Sequence, residues 1–124
     1  MTYEMKTSKG LSVSLDTSMI VVGKNDMFRV NEIAELAGKQ THHWYDNQRT
    51  KDLVEQYQLL NPDRGIPILV VKGGYSSEQG TWIHKDLGHS FLMWCFPSYE
   101  LLVNKILNEL FDIEYSYYIG GCYE

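Results

Sequence analysis

Apolar and polar residues alternate from Leu11 to Leu15, the period of a half-buried strand. Met19-Ile-Val-Val22 and Met27-Phe-Arg-Val30 have strand composition on either side of the turn residues Gly23-Lys-Asn-Asp26. Together these runs predict a small antiparallel sheet. The period then changes. Ile33, Ala34, Leu36 and Ala37 share one face of a helix of about two turns, capped by Asn31 and stopped by Gly38. A second helix is predicted from Thr41 to about Leu60, where Asn61-Pro-Asp-Arg-Gly65 ends it. Two helices joined by a short Gly-containing turn have the form of a helix–turn–helix, and of many helical hairpins as well.

Ile66-Pro-Ile-Leu-Val-Val71 is β-branched and apolar, and Gln79-Gly-Thr-Trp-Ile83 has the same character after a Gly-rich, polar break. They predict a hairpin whose tip holds Gly73, Gly74, Tyr75, Ser76, Ser77 and Glu78. A third helix is expected from about His84 to Phe96, with Leu87, Phe91, Trp94 and Cys95 inward and Pro97 as its break. Tyr99, Leu102, Val103, Ile106, Leu107 and Leu110 then give the clearest amphipathic stripe in the chain. The expected fold is α+β: a winged helix–turn–helix-like domain with a small antiparallel sheet, about four helices and a β-hairpin wing. Residues 1–20 are expected to be an N-terminal extension or strand, 21–111 the domain, and 112–124 an acidic, Tyr-rich tail with no apolar anchor.

On the second helix, about 100° per residue places Leu53, Tyr57 and Leu60 on the core side. Trp44, Gln48, Lys51 and Glu55 fall opposite, with Asn47 at the margin. Amides can read base edges and a cation can bind phosphate or guanine, so this face suits a duplex groove. A solvated helix face accounts for the same pattern. In the hairpin, Lys72 and the amides of Gly73 and Gly74 suit a phosphate, and Gln79 a groove edge. An ordinary surface hairpin fits these residues too.

Charge modifies this reading. The 124 residues carry a formal net charge of -5, which by itself opposes nucleic-acid binding. The surplus is local. Three basic and three acidic residues precede Arg29, seven of each lie between Arg29 and Lys85, and Lys105 alone faces six acids beyond. DNA contacts are therefore expected from local clusters. No apolar run approaches the roughly 18 residues of a membrane helix, and MTYEMKTSKG lacks the apolar core of a secretory signal. The expected location is inside a cell. Cys95 reads as a buried thiol. A disulfide to Cys122 does not suit that compartment. His42 and His43 point about 100° apart, and His84, His89 and Cys95 share no helix face, so no metal or cofactor is expected. No phosphate loop or exposed activated thiol suggests an enzyme.

Several motifs now line up with a known family. Asn31-Glu-Ile-Ala resembles the "VNAT" start of the first helix of KilA-N domains. Trp44-Tyr-Asp-Asn-Gln-Arg-Thr-Lys-Asp-Leu-Val-Glu resembles their second-helix segment. Lys72-Gly-Gly-Tyr followed by Gly80-Thr-Trp-Ile-His-Lys-Asp-Leu resembles "GG…GTWVHPDLA", the most specific of these motifs. Phe96-Pro-Ser-Tyr-Glu-Leu-Leu-Val resembles "SPEFALKV". The resemblance spans about Val21 to Leu110 in the right order. It extends to fungal APSES domains through the Gln79–Trp82 wing return. It implies a non-enzymatic domain that binds double-stranded DNA, in a viral, phage or bacterial regulatory protein. RNA and single-stranded DNA stay open as targets. A viral origin would place the chain in the host cytoplasm or nucleus.

The expected DNA-facing residues are Lys39, His42, His43, Trp44, Asn47, Gln48, Arg49, Lys51, Lys72, Gly73, Gly74, Tyr75, Ser76, Ser77 and Gln79. Gly80, Thr81 and Trp82 are expected to shape the wing and core instead. Two departures from the family pattern stand out: Lys85 replaces the usual Pro, and Asn47-Gln48 makes the second helix less basic. The competing reading is a protein-interaction or targeting module, the viral domains often being fused to a second domain.

Overall fold

A computed structural model describes residues 2–75 and 78–119. Two strands, β1 (Thr2–Lys6) and β2 (Ser12–Asp16), form an antiparallel hairpin with Tyr3 opposite Leu15 and Met5 opposite Val13. The sequence pattern gave no strand at Thr2–Lys6. Its buried Met5, like Leu15 across the ladder, joins the core.

The second sheet holds β3 (Val21–Val22), β4 (Met27–Arg29), β5 (Ile68–Val71) and β6 (Gly80–His84), in the order β3-β4-β6-β5 and antiparallel throughout. Asn25 and Asp26 link β3 to β4 with φ of 59° and 60°, the two positive values of the hairpin turn that matches strand twist. Strand β6 is central. It pairs Arg29 with Trp82 on one side and Leu69 with Trp82 on the other.

The helices are α1 (Asn31–Leu36), α2 (Thr41–Tyr45), α3 (Gln48–Leu60), α4 (Gly88–Cys95) and α5 (Pro97–Ile119). The single helix expected from Thr41 to Leu60 is two. Asn47 takes an extended backbone (ψ 153°) and its side chain accepts the Thr50 N–H at 2.8 Å, so it caps a new helix. This break rotates everything before it relative to α3. Trp44, expected on the outer face, is only 2% exposed and meets Phe91 edge-on with centroids 5.1 Å apart. Leu60, expected inside, is 78% exposed, and the buried residues of α3 are Thr50 and Tyr57.

Asn31 also departs from expectation. The N-cap position is Val30, and the Asn31 side chain accepts from Thr81 N instead. Lys85–Leu87 form a 3-10 turn before α4, with His84 Nδ1 accepting from Asp86 N at 3.1 Å. Pro97 opens α5 rather than merely ending α4, in keeping with a ring that lacks an N–H and pre-sets helical φ. Helix α5 then runs on to Ile119, through the segment expected to be a tail. Its stripe is only partly covered: Tyr99 and Val103 are half-buried, whereas Leu102, Ile106, Leu107 and Leu110 are exposed.

Val30, Ile33, Ala34, Trp44, Ile83, Leu87, Phe91, Cys95 and Phe96 form the centre of one core. They come from the sheet, the α1–α2 pair and α4, so the short helices are fixed by burial in this shared core rather than by their own length.

Candidate nucleic-acid interface

The wing and the helix pair meet at Thr81. Its N–H donates to Asn31 Oδ1 at 2.7 Å, its carbonyl accepts from Val30 N at 3.0 Å, and its hydroxyl lies 3.1 Å from the Thr41 hydroxyl. The side chain is almost fully buried. One residue of β6 thus joins the start of α1, the start of α2 and the base of the wing. Gly80 makes this approach possible. Its φ is +129°, and a Cβ there would stand 2.5 Å from Asn31 Oδ1 and 2.8 Å from Arg29 Cδ. Trp82 lies so close to Gly23 that a Cβ on that glycine would meet its ring at 2.7 Å. Its indole N–H donates to Glu78 O at 3.0 Å, which anchors the return of the wing. Arg29 pairs with Glu32 at 2.6 Å beside the same corner. Arg29 and Asn31 were not among the expected functional residues. The signal available was the Asn31 motif itself, read only as a helix cap.

The wing tip is held by its own backbone. Gly73 and Gly74 have φ of +80° and +76°, a region that costs glycine nothing. The Gln79 amide donates to Gly74 O at 3.2 Å. Gln79 therefore closes the tip, and that amide nitrogen already has a partner. Lys72, Gly73, Gly74 and Tyr75 are exposed. Ser76 and Ser77 lie outside the described residues. Lys72, Gly73, Gln79 and Gly80 line a shallow depression with Arg29, Asn31 and Glu32, so the wing base opens directly onto the start of α1.

The helix residues divide differently. His43 is exposed and His42 half-exposed, with ring centroids 4.1 Å apart. Trp44 is internal and offers nothing to a groove. Lys39 is drawn inward: its Nζ donates to Trp94 O at 2.7 Å and sits 4.5 Å from the centre of the Trp94 ring. Asn47 is committed to its cap, and the Gln48 amide donates to Asp52 at 2.8 Å. Arg49 and Lys51 are exposed on the first turn of α3. Among the described residues the side chains of Arg49, Lys51 and Lys72 make no hydrogen bond or ion pair. Arg49 lies beside Trp94, Ser90 and Glu100, in a depression that shares no lining residue with the one at the wing base.

Catalytic chemistry has little to work with. Burial pushes the Cys95 thiol up to about 12 against a weaker opposing pull from Lys39, so it is not a thiolate nucleophile at neutral pH. No group of three His, Cys, Asp or Glu converges as a metal site among the described residues. No described helix is long and apolar enough to cross a membrane.

A short helix pair locked to a β-hairpin through one buried threonine defines an α+β domain of the winged helix–turn–helix-like class. The chain belongs to the KilA-N domain family, whose model matches residues 13–112. KilA-N is a family of DNA-binding domains rather than of enzymes. Comparison with curated proteins and with solved structures finds no match.

Proposed function

We propose that the chain binds double-stranded DNA by presenting α2, the first turn of α3 and the Gly-rich wing to one duplex, within a viral, phage or bacterial regulatory protein that acts inside a cell. The observation that carries this reading is the corner at Thr81. It holds the helix pair and the wing in one rigid relation, as a domain must if both are to meet the same groove and backbone.

Arg49, Lys51 and Lys72 then serve as phosphate contacts, joined by the Gly73 and Gly74 amides. His42, His43, Gln48 and Tyr75 are the candidates for base-edge or sugar contact. Ser76 and Ser77 join them on sequence grounds. Lys39, Asn47 and Gln79 act as supports because each is bonded to the backbone of the fold, and Trp44 because it is buried, whereas Gln48 meets only the exposed side chain of Asp52. Titrating a labelled duplex, single strand and RNA hairpin at two salt concentrations tests the proposal. Binding should favour the duplex, and Arg49→Ala, Lys51→Ala and Lys72→Ala should each weaken all sequences about equally. Gln48→Ala should instead change the preference between sites by about 1–3 kcal/mol. Absence of binding to any duplex by the folded chain rejects the reading.

The exposed apolar residues of α5 favour the second reading, a protein-interaction module. That reading requires a chain whose Arg49, Lys51 and Lys72 variants retain full activity.

A further inference from the structure

Outside the helix–wing corner, the molecule has a cavity of about 670 Å³ between the β3–β4 turn, the C-terminal end of α3 and the segment leading into β5. That is the size range of small-molecule sites. Met27, Ile66, Pro67 and Leu69 supply apolar walls, and Ile66 and Leu69 remain more than half exposed. Two buried polar side chains line it: His84, 6% exposed, and Tyr57, 7% exposed, with ring centroids 5.4 Å apart.

His84 Nδ1 accepts the Asp86 N–H, which leaves the proton of the neutral ring on Nε2. Among the described residues, His84 Nε2 and the Tyr57 hydroxyl have no hydrogen-bond partner. Among the described residues no solvent-sealed side-chain N or O lacks a partner, so both tips keep some access to solvent, and both residues line the cavity. A core that only needed filling would be served by apolar rings. Here a histidine and a tyrosine, both mostly buried, line a hollow with apolar walls, the composition that orients a ligand.

The rim sets the ligand's charge. Arg64 lines the cavity and has no ion-pair partner among the described residues. Asp26 pairs with Lys85 at 3.8 Å, while Asp63 adds one negative charge beside Arg64. A guanidinium with two inner donors matches a carboxylate, and the nearby carboxylates disfavour a second negative charge on the ligand. We propose that this cavity binds a small monocarboxylic acid with an apolar body, its carboxylate held by Tyr57, His84 and Arg64 and its body by Met27, Ile66 and Leu69.

The test uses the full chain with 2-naphthoate as probe, its neutral amide and the corresponding naphthylmethylamine as controls, followed by NMR chemical shifts. Saturable binding of the naphthoate should move the resonances of Met27, Tyr57, Leu69 and His84. Tyr57→Phe keeps the packed ring and should weaken binding about 5- to 10-fold. Arg64→Gln, at an exposed position, should remove the preference for naphthoate over the amide. Shifts that fail to saturate or fall elsewhere overturn the proposal. So does tighter binding of the amine, or unchanged naphthoate affinity in both variants.

Discussion

At Gly80 the demands on one residue are sharpest, because a positive φ and two close neighbours exclude any side chain. Gly80→Ala should lower unfolding stability by about 2 kcal/mol or more, read by urea denaturation. Asn31→Ala removes the acceptor for a buried N–H and should cost about 1–3 kcal/mol. Cys95 gives a pH test. Its thiol ionises near 9 when free and near 12 in the fold. The folded pKa is raised, so the contribution is complete below pH 9 and is lost as pH rises from 9 toward 12. The denaturation midpoint should fall across that window, and Cys95→Ala should flatten the fall. A midpoint independent of pH in that range would contradict this burial. These positions differ in how far the sequence exposed them. The Gly80-Thr81-Trp82 motif was legible as structural, and Cys95 as buried. The partner of Asn31 was not legible, because an Asn before a helix is first read as a cap. The cavity residues were not legible either: Tyr57 was read as core, and nothing local in the sequence places its ring beside His84.

Among the elements, the split between α2 and α3 has the largest effect on the interface. A helical wheel assumes one axis, and Asn47 ends that assumption. Before the break the wheel put Trp44 on the wrong side, and after it Leu60. Nothing in residues 41–60 resembles a Pro or Gly breaker. The cap is legible only as an Asn three residues before Thr50, a weak signal in a polar run. Asn47→Ala should therefore cost about 1 kcal/mol, and Asn47→Asp should restore it, because both caps accept the same N–H. Thermal melts of the two variants check this. Equal loss in both would mean that the break is held by packing of Trp44 rather than by the cap. The two strands of the hairpin were legible to within two residues of their ends, since β-branched runs around a Gly-rich break leave few alternatives. Helix α5 was legible as far as Leu110. Its continuation to Ile119 was not, because the Tyr-rich segment has weak periodicity.

For the whole molecule, charge is the property that decides binding. Among the described residues Arg49, Lys51 and Lys72 have no ion-pair partner, and three such contacts imply that log affinity falls with log salt at a slope of about -2.7, near 0.9 per phosphate contact. Ending the chain after Phe111 removes three acidic residues, Asp112, Glu114 and Glu124, and changes the net charge from -5 to -2. Duplex affinity should rise at low salt, and the gain should vanish near 1 M, where the screening length is about 3 Å. A gain that persists at high salt would point to steric masking instead. The fold class itself was legible from period changes along the chain, whereas the order of the sheet was not, since no local pattern says that β6 lies between β4 and β5. That order governs how the chain is made. Asn31 and Thr81 lie 50 residues apart, and at about 5–20 residues per second a ribosome needs roughly 3–10 s to cover that distance. Until β6 emerges, β4 can pair only with the two residues of β3, and α1, which packs on β2, lacks the Thr81 partner of Asn31. The first half of the nascent chain therefore waits, with part of its apolar surface uncovered, for the strand that completes it.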